Sequence, residues 1–262
     1  MVKFSIITVC YNAESCIEET IKSIIDQNYK NYEYIVVDGA SEDNTVNIIK
    51  QYSSYITKWV SEPDNGIYDA MNKGISMASG EWINFMNAGD VFADNNVLRS
   101  ISSQMMDADI VYGDTMLIYS IGKIIQKPYP LEEITNKMVF GHQATFVKGT
   151  YHKKNIFDTS FKSAADFKFL RDSYINGARF QYIPVTVVNY EAENGVSARF
   201  YLRAQKENAV ILKKDKDMKW RISFAIFSFI YTLKFYIKKI MPSKILVLLR
   251  KRNLSKYNST NL

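Results

Sequence analysis

Apolar strands that alternate with amphipathic helices constrain the fold of this chain more than any other feature. Lys3 to Cys10 and Tyr34 to Val37 are apolar, largely β-branched runs of strand length, and the isoleucines between them recur at the spacing of one helical face. Parallel strands need a crossover long enough to hold a helix, and this connection provides one. The same order continues to Asp90, so the sequence predicts an α/β fold with a doubly wound, mainly parallel sheet flanked by helices.

The remaining predicted elements follow along the chain. Helices are predicted at Asp43 to Tyr52, Asn65 to Gly80, Asn95 to Met105, Ala165 to Ile175 and Tyr201 to Asp217. Strands are predicted at Ile56 to Val60, Trp82 to Met86, Asp109 to Tyr119, Lys123 to Tyr129, Gln143 to Lys148 and Phe180 to Tyr190. The inward face of the second of these helices is expected to consist of Ile67, Ala70, Met71, Gly74, Ile75 and Ala78.

Acidic turns follow three of the predicted strands, at Asp38, Asp64 and Asp90. Because the carboxyl ends of parallel strands meet at one edge of a sheet, we expect the three carboxylates to gather where open α/β sheets bind ligands. Each also has a purely structural explanation. Asp38 and Asp90 are ordinary turn residues, and Asp64 would complement the dipole of the helix that follows it.

Two carboxylates have positions that suit chemistry. Asp90 closes an apolar strand, and a hard divalent cation on a diphosphate needs only one or two protein carboxylates. Asp166 stands at the start of a predicted helix, where it is either an N-cap or a general base that faces a metal across a cleft.

The histidines and cysteines limit which metal centres and which thiol chemistry the chain can support. His142 precedes a predicted strand and can reach a diphosphate or an acceptor, whereas His152 lies beside two lysines and is expected to be solvated. Two histidines are too few for a multi-histidine metal centre. Cys10 and Cys16 form no metal-binding pattern, which favours reduced thiols in a cytosolic protein. The sequence contains no GxSxG, GxxxxGK[ST] or GxGxxG motif, so esterase, P-loop kinase and dinucleotide-binding functions lack their motifs.

The C-terminal tail is basic and apolar. Residues 219–262 hold ten Lys/Arg and no Asp/Glu, so the net charge of +6 conceals an acidic body with 23 basic and 27 acidic residues. Within the tail, Ile222 to Leu233 is too short to cross a bilayer, which needs roughly 20 residues. We therefore expect a domain at 1–215 and a helical tail at 216–262 that lies on an anionic membrane surface. Packing on the domain or on a partner subunit is the alternative.

The tail and the N-terminus also indicate partners and compartment. Apolar residues interrupt the basic ones, which argues against nucleic acid as a partner. The N-terminus has no signal-peptide pattern. We expect a cytoplasmic protein that is peripheral on the inner face of the cell membrane.

Several motifs in order resemble the inverting family 2 glycosyltransferases with the GT-A fold, of the bacterial surface-polysaccharide type. They are SIITVCYNAE, VVDGASEDNT, SEPDNGIYDAMNKGI and GEWINFMNAGD, and GHQATFVK and SAADFKFL extend the resemblance to Asp172. The resemblance implies a nucleotide-diphosphate sugar donor, with UDP as the default nucleotide. It also implies Mg²⁺ or Mn²⁺ and a one-step displacement with inversion at the anomeric carbon.

The resemblance also implies the site residues. The donor-binding residues would be Thr8, Tyr11, Asp38, Asp64, Lys73, Asn87 and Asp90. The family's metal motif falls on Asn87-Ala88-Gly89-Asp90, where Asp90 is the only acid left to bind metal. The family's base falls on Asp166, and His142 would lie near the acceptor or the diphosphate.

The expected enzyme is a hexosyl- or N-acetylhexosaminyl-transferase that acts on a lipid-linked or oligosaccharide acceptor. The alternative is a non-catalytic nucleotide-sugar-binding or membrane scaffold protein with a decayed metal motif. A sugar nucleotidyltransferase would carry a glycine-rich basic loop after the first strand, and Val9 to Ala13 is not such a loop. Glu193 to Ser197 is either a loop that closes over the donor or a surface turn. The sugar, the linkage and the oligomeric state stay open.

Overall fold

The computed structural model describes residues 2–191 and 200–240, and within them the centre of the protein is one nine-stranded sheet. The strands are β1 Phe4–Cys10, β2 Tyr32–Asp38, β3 Lys58–Ser61, β4 Trp82–Phe85, β5 Val91–Phe92, β6 Ile110–Tyr119, β7 Gly122–Gln126, β8 Thr145–Lys148 and β9 Phe180–Glu191. The helices are α1 Ile17–Ile25, α2 Thr45–Gln51, α3 Ile67–Met77, α4 Val97–Gln104, α5 Gly149–Lys154, α6 Ala165–Ile175, α7 Tyr201–Ile211 and α8 Met218–Ile240. Short 3₁₀ turns occupy Leu131–Thr135 and His142–Ala144.

The strands follow the order β3-β2-β1-β4-β8-β6-β9-β5, and β7 pairs with β6 as a hairpin. β3, β2, β1 and β4 are parallel. β8 then runs antiparallel to both β4 and β6, β9 is parallel to β6, and β5 is antiparallel to β9. The predicted α/β class is confirmed. The parallel arrangement holds throughout the N-terminal half, whereas the C-terminal half is mixed because its strands return directly through a hairpin or enter the sheet in the opposite direction.

Two apolar clusters cover the two faces of the sheet. One lies under α1, α2 and α4, and the other under α3, α5 and α6. On α1, Ile17, Ile21 and Ile24 are fully buried, as their spacing predicts, and each contributes roughly 1.5–3 kcal/mol of burial free energy. The face of α3 differs from the prediction by one residue: Tyr68 is buried and Ile67 is exposed.

The C-terminal helices pack against each other through aromatic rings. Tyr201 of α7 stacks on Tyr231 of α8 with the ring centroids 5.3 Å apart. The opposite side of α8 carries an exposed apolar stripe at Ile222, Ile226, Phe229, Leu233 and Ile237. No helix in the described part of the chain is long and apolar enough to span a bilayer. The predicted loop at 193–197 and the part of the predicted tail after Ile240 lie outside the described residues.

His152 is a core residue, so the prediction that it is solvated is wrong. Its side chain is 1% exposed, and its ring stacks on Phe169 with the centroids 4.5 Å apart. Its Nδ1 lies 3.1 Å from the Asn155 carbonyl oxygen, to which it donates. The neighbouring lysines stay on the surface because successive helical residues point in different directions. Burial lowers the pKa of His152 to about 4, so the imidazole is neutral at physiological pH.

We expect His152 to make the fold acid-sensitive. Below its ordinary pKa of 6.5 the unfolded chain binds a proton that the folded chain binds only near pH 4. The stability that neutral His152 contributes is thus present above pH 6.5 and is lost as the pH falls through this window, by on the order of 3 kcal/mol. Urea unfolding at about pH 7 and about pH 4.5 measures the loss. His152→Leu should lose less stability than the wild type, and Lys154→Gln, on the exposed side of α5, should behave like the wild type. Equal losses in all three proteins would contradict the assignment.

Candidate active site

The carboxyl ends of β1, β2 and β4 meet at one edge of the sheet. The parallel register pairs Cys10 with Asp38 and Ile7 with Phe85. The turns that follow these strands are bound to the same edge, since the Gly39 N–H donates to the Cys10 carbonyl at 2.9 Å and the Ala88 N–H donates to the Val9 carbonyl at 3.1 Å. The acidic turns after β2 and β4 therefore flank the end of β1, which is where ligands bind in open α/β sheets.

Tyr11 and Asp64 come together at Gly39. A Cβ on Gly39 would overlap the Asp64 carboxylate and would lie 3.5 Å from Tyr11 Cδ2. Tyr11 is 61% exposed, and Asp64 is half-buried and accepts the Gly66 N–H at 2.8 Å. An open aromatic face thus lies beside a carboxylate, a combination that suits stacking on a base and hydrogen bonding to ribose hydroxyls.

Asp38 supports this pocket from inside the sheet instead of lining it. It is fully buried, and its oxygens accept the N–H of Ser41 at 2.9 Å, the Ser41 hydroxyl at 2.5 Å and the Ser61 hydroxyl at 2.6 Å. The carboxylate therefore fixes the turn after β2 to the end of β3. In this structure its oxygens accept protein donors, and its predicted direct contact with a nucleotide stays a prediction.

Thr8 and Lys73 are likewise engaged by protein groups. The fully buried Thr8 hydroxyl donates to the Met86 carbonyl at 2.7 Å and accepts the Tyr34 hydroxyl at 3.0 Å. Thr8 therefore holds the end of β4 against β1, and it has no exposed surface for a nucleotide-sugar donor to contact. The Lys73 ammonium lies 2.9 Å from the Glu62 carboxylate, so its charge is already paired.

His142 joins the turn after β4 to helix α6. Its Nδ1 lies 3.1 Å from Asp166 Oδ2, and its Nε2 lies 3.2 Å from Asn87 Nδ2. The Tyr68 hydroxyl donates to the other Asp166 oxygen at 2.8 Å. Asp166 and the Asn87 turn, which are distant in sequence, are thus separated by the width of one imidazole ring.

A polar residue within an apolar strand explains how His142 reaches this position. Asn84, fully buried in β4, donates from Nδ2 to the carbonyls of Gln143 and Thr145, both at 2.9 Å. A buried amide needs such partners. These two hydrogen bonds hold the 3₁₀ turn that carries His142 against the end of β4.

The Asp166–His142 pair favours the ionised carboxylate. Burial acts to raise the pKa of Asp166, but the hydrogen bond and charge of His142, together with the Tyr68 hydroxyl, hold it below its usual value. Burial acts to lower the pKa of His142, but the contact with Asp166 and the charge of Asp90 raise it. The Asp166 side chain retains 14% exposure, and its oxygens accept three donors in all, the third being the Phe167 N–H at 2.9 Å on Oδ1. A carboxylate has about four lone-pair sites, so one site stays free on Oδ2. It can therefore accept a further hydroxyl proton.

Asp90 and Asn87 are the oxygen donors available to a divalent cation. Burial raises the pKa of Asp90 to about 6, although the His142 charge and a hydrogen bond from Gln143 oppose that rise. In the same turn, Asn87 Oδ1 is buried and has no hydrogen-bond partner among the described residues. Residues 2–191 and 200–240 contain no group of three or more His, Cys, Asp or Glu side chains placed to hold a metal ion. The two oxygens therefore fit Mg²⁺ or Mn²⁺ only when a bound diphosphate and water supply the other ligands.

Sequence reasoning missed three residues of this site: Tyr68, Asn84 and Gln143. Asn84 is a polar residue in the middle of an apolar strand, and Gln143 follows the predicted His142, so both carried a signal. Tyr68 carried none, because an aromatic residue on a helix is usually explained by core packing.

Residues 5–175 match the family described as Glycosyl transferase family 2. The chain belongs to this family. An uncharacterised glycosyltransferase of Mycobacterium tuberculosis is 32% identical over 178 residues, which cover 63% of this chain and 66% of that protein. A PGL/p-HBAD biosynthesis glycosyltransferase of Mycobacterium bovis is 27% identical over 202 residues, which cover 74% of this chain and 78% of the relative. The family 2 chain described here thus spans about two thirds of the length of the Mycobacterium tuberculosis relative.

Solved structures confirm the predicted GT-A fold of this family 2 member. S. aureus TarS 1-349 in complex with UDP-GlcNAc superposes with a TM-score of 0.62 at 20% identity, covering 80% of this chain and 66% of that chain. The mannosyltransferase PcManGT from Pyrobaculum calidifontis, in complex with GDP-Man and Mn²⁺, gives a TM-score of 0.64 at 16% identity, covering 97% and 80%. At these identities the likeness establishes the fold.

Proposed function

We propose that this protein is an inverting glycosyltransferase. It moves a sugar from a nucleotide-diphosphate donor to a hydroxyl of a lipid-linked or oligosaccharide acceptor in polysaccharide biosynthesis. The contact chain from Asp166 through His142 to Asn87 carries the proposal, because it sets a carboxylate across from the turn that would receive the diphosphate. Family membership supports the reaction class. The ligands named for the structural neighbours, UDP-GlcNAc and GDP-Man, support the donor class.

Asp166 acts as the general base. Its carboxylate takes the proton from the acceptor hydroxyl while that oxygen bonds to the anomeric carbon, and the bond from this carbon to the diphosphate oxygen breaks. The electron pair leaves with the nucleoside diphosphate. Attack from the face opposite the leaving group inverts the configuration. Tyr68 and His142 hold the carboxylate in place through the two hydrogen bonds on its oxygens.

The donor lies along the sheet edge. Tyr11 and Asp64 contact the base and ribose, with UDP as the first nucleotide to test, and Asn87, Asp90 and His142 face the diphosphate. Asp90 and the unpaired Asn87 Oδ1 would hold Mg²⁺ or Mn²⁺. When bound, this cation neutralises negative charge on the leaving diphosphate.

The single acid of the turn at 87–90 supports a second candidate, a nucleotide-sugar-binding or membrane scaffold protein without catalysis. Such a protein would bind the donor and leave it intact. Turnover of a UDP-sugar with Mn²⁺ distinguishes the two candidates.

Replacing Asp166 tests the proposed base. We expect Asp166→Asn to lower the transfer rate by at least about 10²-fold, because the amide cannot accept the proton, while donor affinity stays nearly intact. Nucleoside diphosphate release measures the rate, and thermal shift with the donor measures binding. Asp172→Asn on the same helix is the control, since Asp172 pairs with Lys168 outside the site. Wild-type turnover in Asp166→Asn would refute the role of the base.

Replacing Asp90 tests the cation site. Titration of a panel of nucleotide sugars with and without Mn²⁺ should raise the unfolding temperature of the wild type, because a ligand of the folded state stabilises it. In Asp90→Ala we expect the Mn²⁺-dependent part of this shift to disappear. Asp94→Ala, which removes an exposed carboxylate four residues later, should keep it. A Mn²⁺-dependent shift that survives in Asp90→Ala would show that the cation is held elsewhere.

We also propose that the tail at 216–262 lies on the anionic inner leaflet of the cell membrane, with the catalytic domain at 1–215 in the cytoplasm. The exposed stripe of α8 supports this, because it runs along one side of a helix that contains Lys219, Arg221 and Lys234 and no acidic residue. Basic helices with such a stripe bury it at the boundary between headgroups and acyl chains of anionic membranes.

Vesicle sedimentation tests the membrane surface. The full chain should bind vesicles of mixed phosphatidylglycerol and phosphatidylcholine and bind pure phosphatidylcholine less. The double variant Ile226→Gln with Phe229→Gln should bind at least about tenfold more weakly, since each buried apolar side chain contributes roughly 1.5–3 kcal/mol. Ser223→Gln, an exposed position on the same helix, is the control. Binding that is equal in all three proteins would exclude the stripe as the contact surface.

A further inference from the structure

Helix α7 is attached to the start of α6, the helix that carries Asp166. Both oxygens of the Glu207 carboxylate accept backbone N–H groups there: Oε1 from Lys162 at 3.0 Å and Oε2 from Ser163 at 2.8 Å. These N–H groups belong to the two residues before Ala164, which precedes the first helical residue. A carboxylate at this end of a helix also complements the positive end of its dipole.

Apolar packing accompanies these two hydrogen bonds of Glu207, which together form a clamp on the start of α6. Ile211 of α7 forms a small buried cluster with Ala164 and Phe167, which lie two residues before and one residue after Asp166. Burial and the contact with Asp166 raise the pKa of the Tyr68 hydroxyl, which donates to Asp166, and the charge of Glu207 adds a smaller contribution in the same direction. The clamp therefore contacts the segment that carries the carboxylate and lies near the tyrosine that orients it.

Other polar groups at this joint do not take over the role of the carboxylate. Within the described part of the chain, Ser163 Oγ and Asn208 Oδ1 are buried without a hydrogen-bond partner. Most buried polar atoms in native structures are hydrogen-bonded. Because these two atoms are not, they contribute no hydrogen bond between α7 and the start of α6. The paired hydrogen bonds of Glu207 are charge-assisted and are accordingly the strong polar link between α7 and α6.

We propose that Glu207 is a positioning residue for Asp166, holding the start of α6 so that the Asp166 carboxylate faces His142 and the acceptor hydroxyl. This inference rests on the proposed function for its catalytic consequence. Tyr201, on the same helix α7 as Glu207, stacks on Tyr231 of α8. Helix α7 thus contacts both the tail and the segment that precedes α6.

Amide hydrogen exchange tests the geometry without any substrate. In Glu207→Ala the amides of Lys162 and Ser163 and those of the first turn of α6 should exchange at least about tenfold faster than in the wild type, because the clamp is gone. Glu207→Gln keeps one acceptor oxygen and should give an intermediate rate. Unchanged exchange in Glu207→Ala would overturn the proposal.

Steady-state kinetics tests the consequence for Asp166. With the UDP-sugar that gives the largest thermal shift, and octyl glycosides as soluble acceptors, Glu207→Ala should lower kcat about 10- to 100-fold while the donor KM changes less than about threefold. Ile211→Ala loosens the same joint and keeps both hydrogen bonds, so it controls for lost stability. If the two variants lose the same amount of unfolding temperature and the same factor in kcat, then Glu207 acts only by stabilising the fold, and the proposal is wrong. A wild-type protein without turnover would instead overturn the proposed function, and hydrogen exchange would still decide whether Glu207 holds α6.

Discussion

The parallel register of β1 between β2 and β4 is the constraint on which the site depends. It aligns Cys10 with Asp38 on one side and Ile7 with Phe85 on the other, so the chain leaves β2 and β4 at the same edge. Because side chains alternate along a strand, a slip of one residue would exchange the two faces of β1. Ile6 and Ile7 would then each face the opposite apolar cluster, and the packing of both clusters would be lost. The apolar clusters on both faces therefore fix the register, and the register places the Gly39 and Asn87 turns on either side of the end of β1. The site follows from core packing before any of its own polar contacts are formed.

The second half of the chain reaches this edge by different means. Asp166 belongs to a helix outside the parallel ladder, and side-chain contacts determine where its carboxylate lies. Tyr68 and His142 bind its two oxygens, and Asn84 holds the turn that carries His142. Buried hydrogen bonds of this kind specify one arrangement of the elements that they join. The proposed nucleotide side of the site is thus built on strand ends, whereas the proposed acceptor side is assembled by a polar network.

This division explains how far the sequence could predict the structure. Local periodicity located most strands and helices but neither β5 nor α5, and α6 begins and ends at the predicted residues Ala165 and Ile175. Periodicity could not show that β8 enters beside β4 in the opposite direction, because strand pairing depends on contacts between distant parts of the chain. It also could not separate residues that line a pocket from those beneath it. Asp38 lies at the end of β2, as predicted, but its oxygens accept hydrogen bonds from Ser41 and Ser61. Asp64, in contrast, remains partly exposed. His152 shows the same limit, since two neighbouring lysines suggested a surface that the helix does not give it.

The turn after β4 retains polar groups that the protein alone does not satisfy. Asn87 Oδ1 is buried without a partner among the described residues, and burial raises the pKa of Asp90 to about 6. An unsatisfied buried acceptor costs about 1–3 kcal/mol, and a desolvated carboxylate adds to this cost. The fully buried strand β4 leads directly into this turn, so the packing of the core offsets this destabilising free energy. In the proposed site, a bound cation would offset this cost, because Asn87 Oδ1 would gain a partner and the Asp90 carboxylate a counter-charge. The same groups therefore cost stability in the protein alone and favour a charged ligand, as the proposed cation site requires.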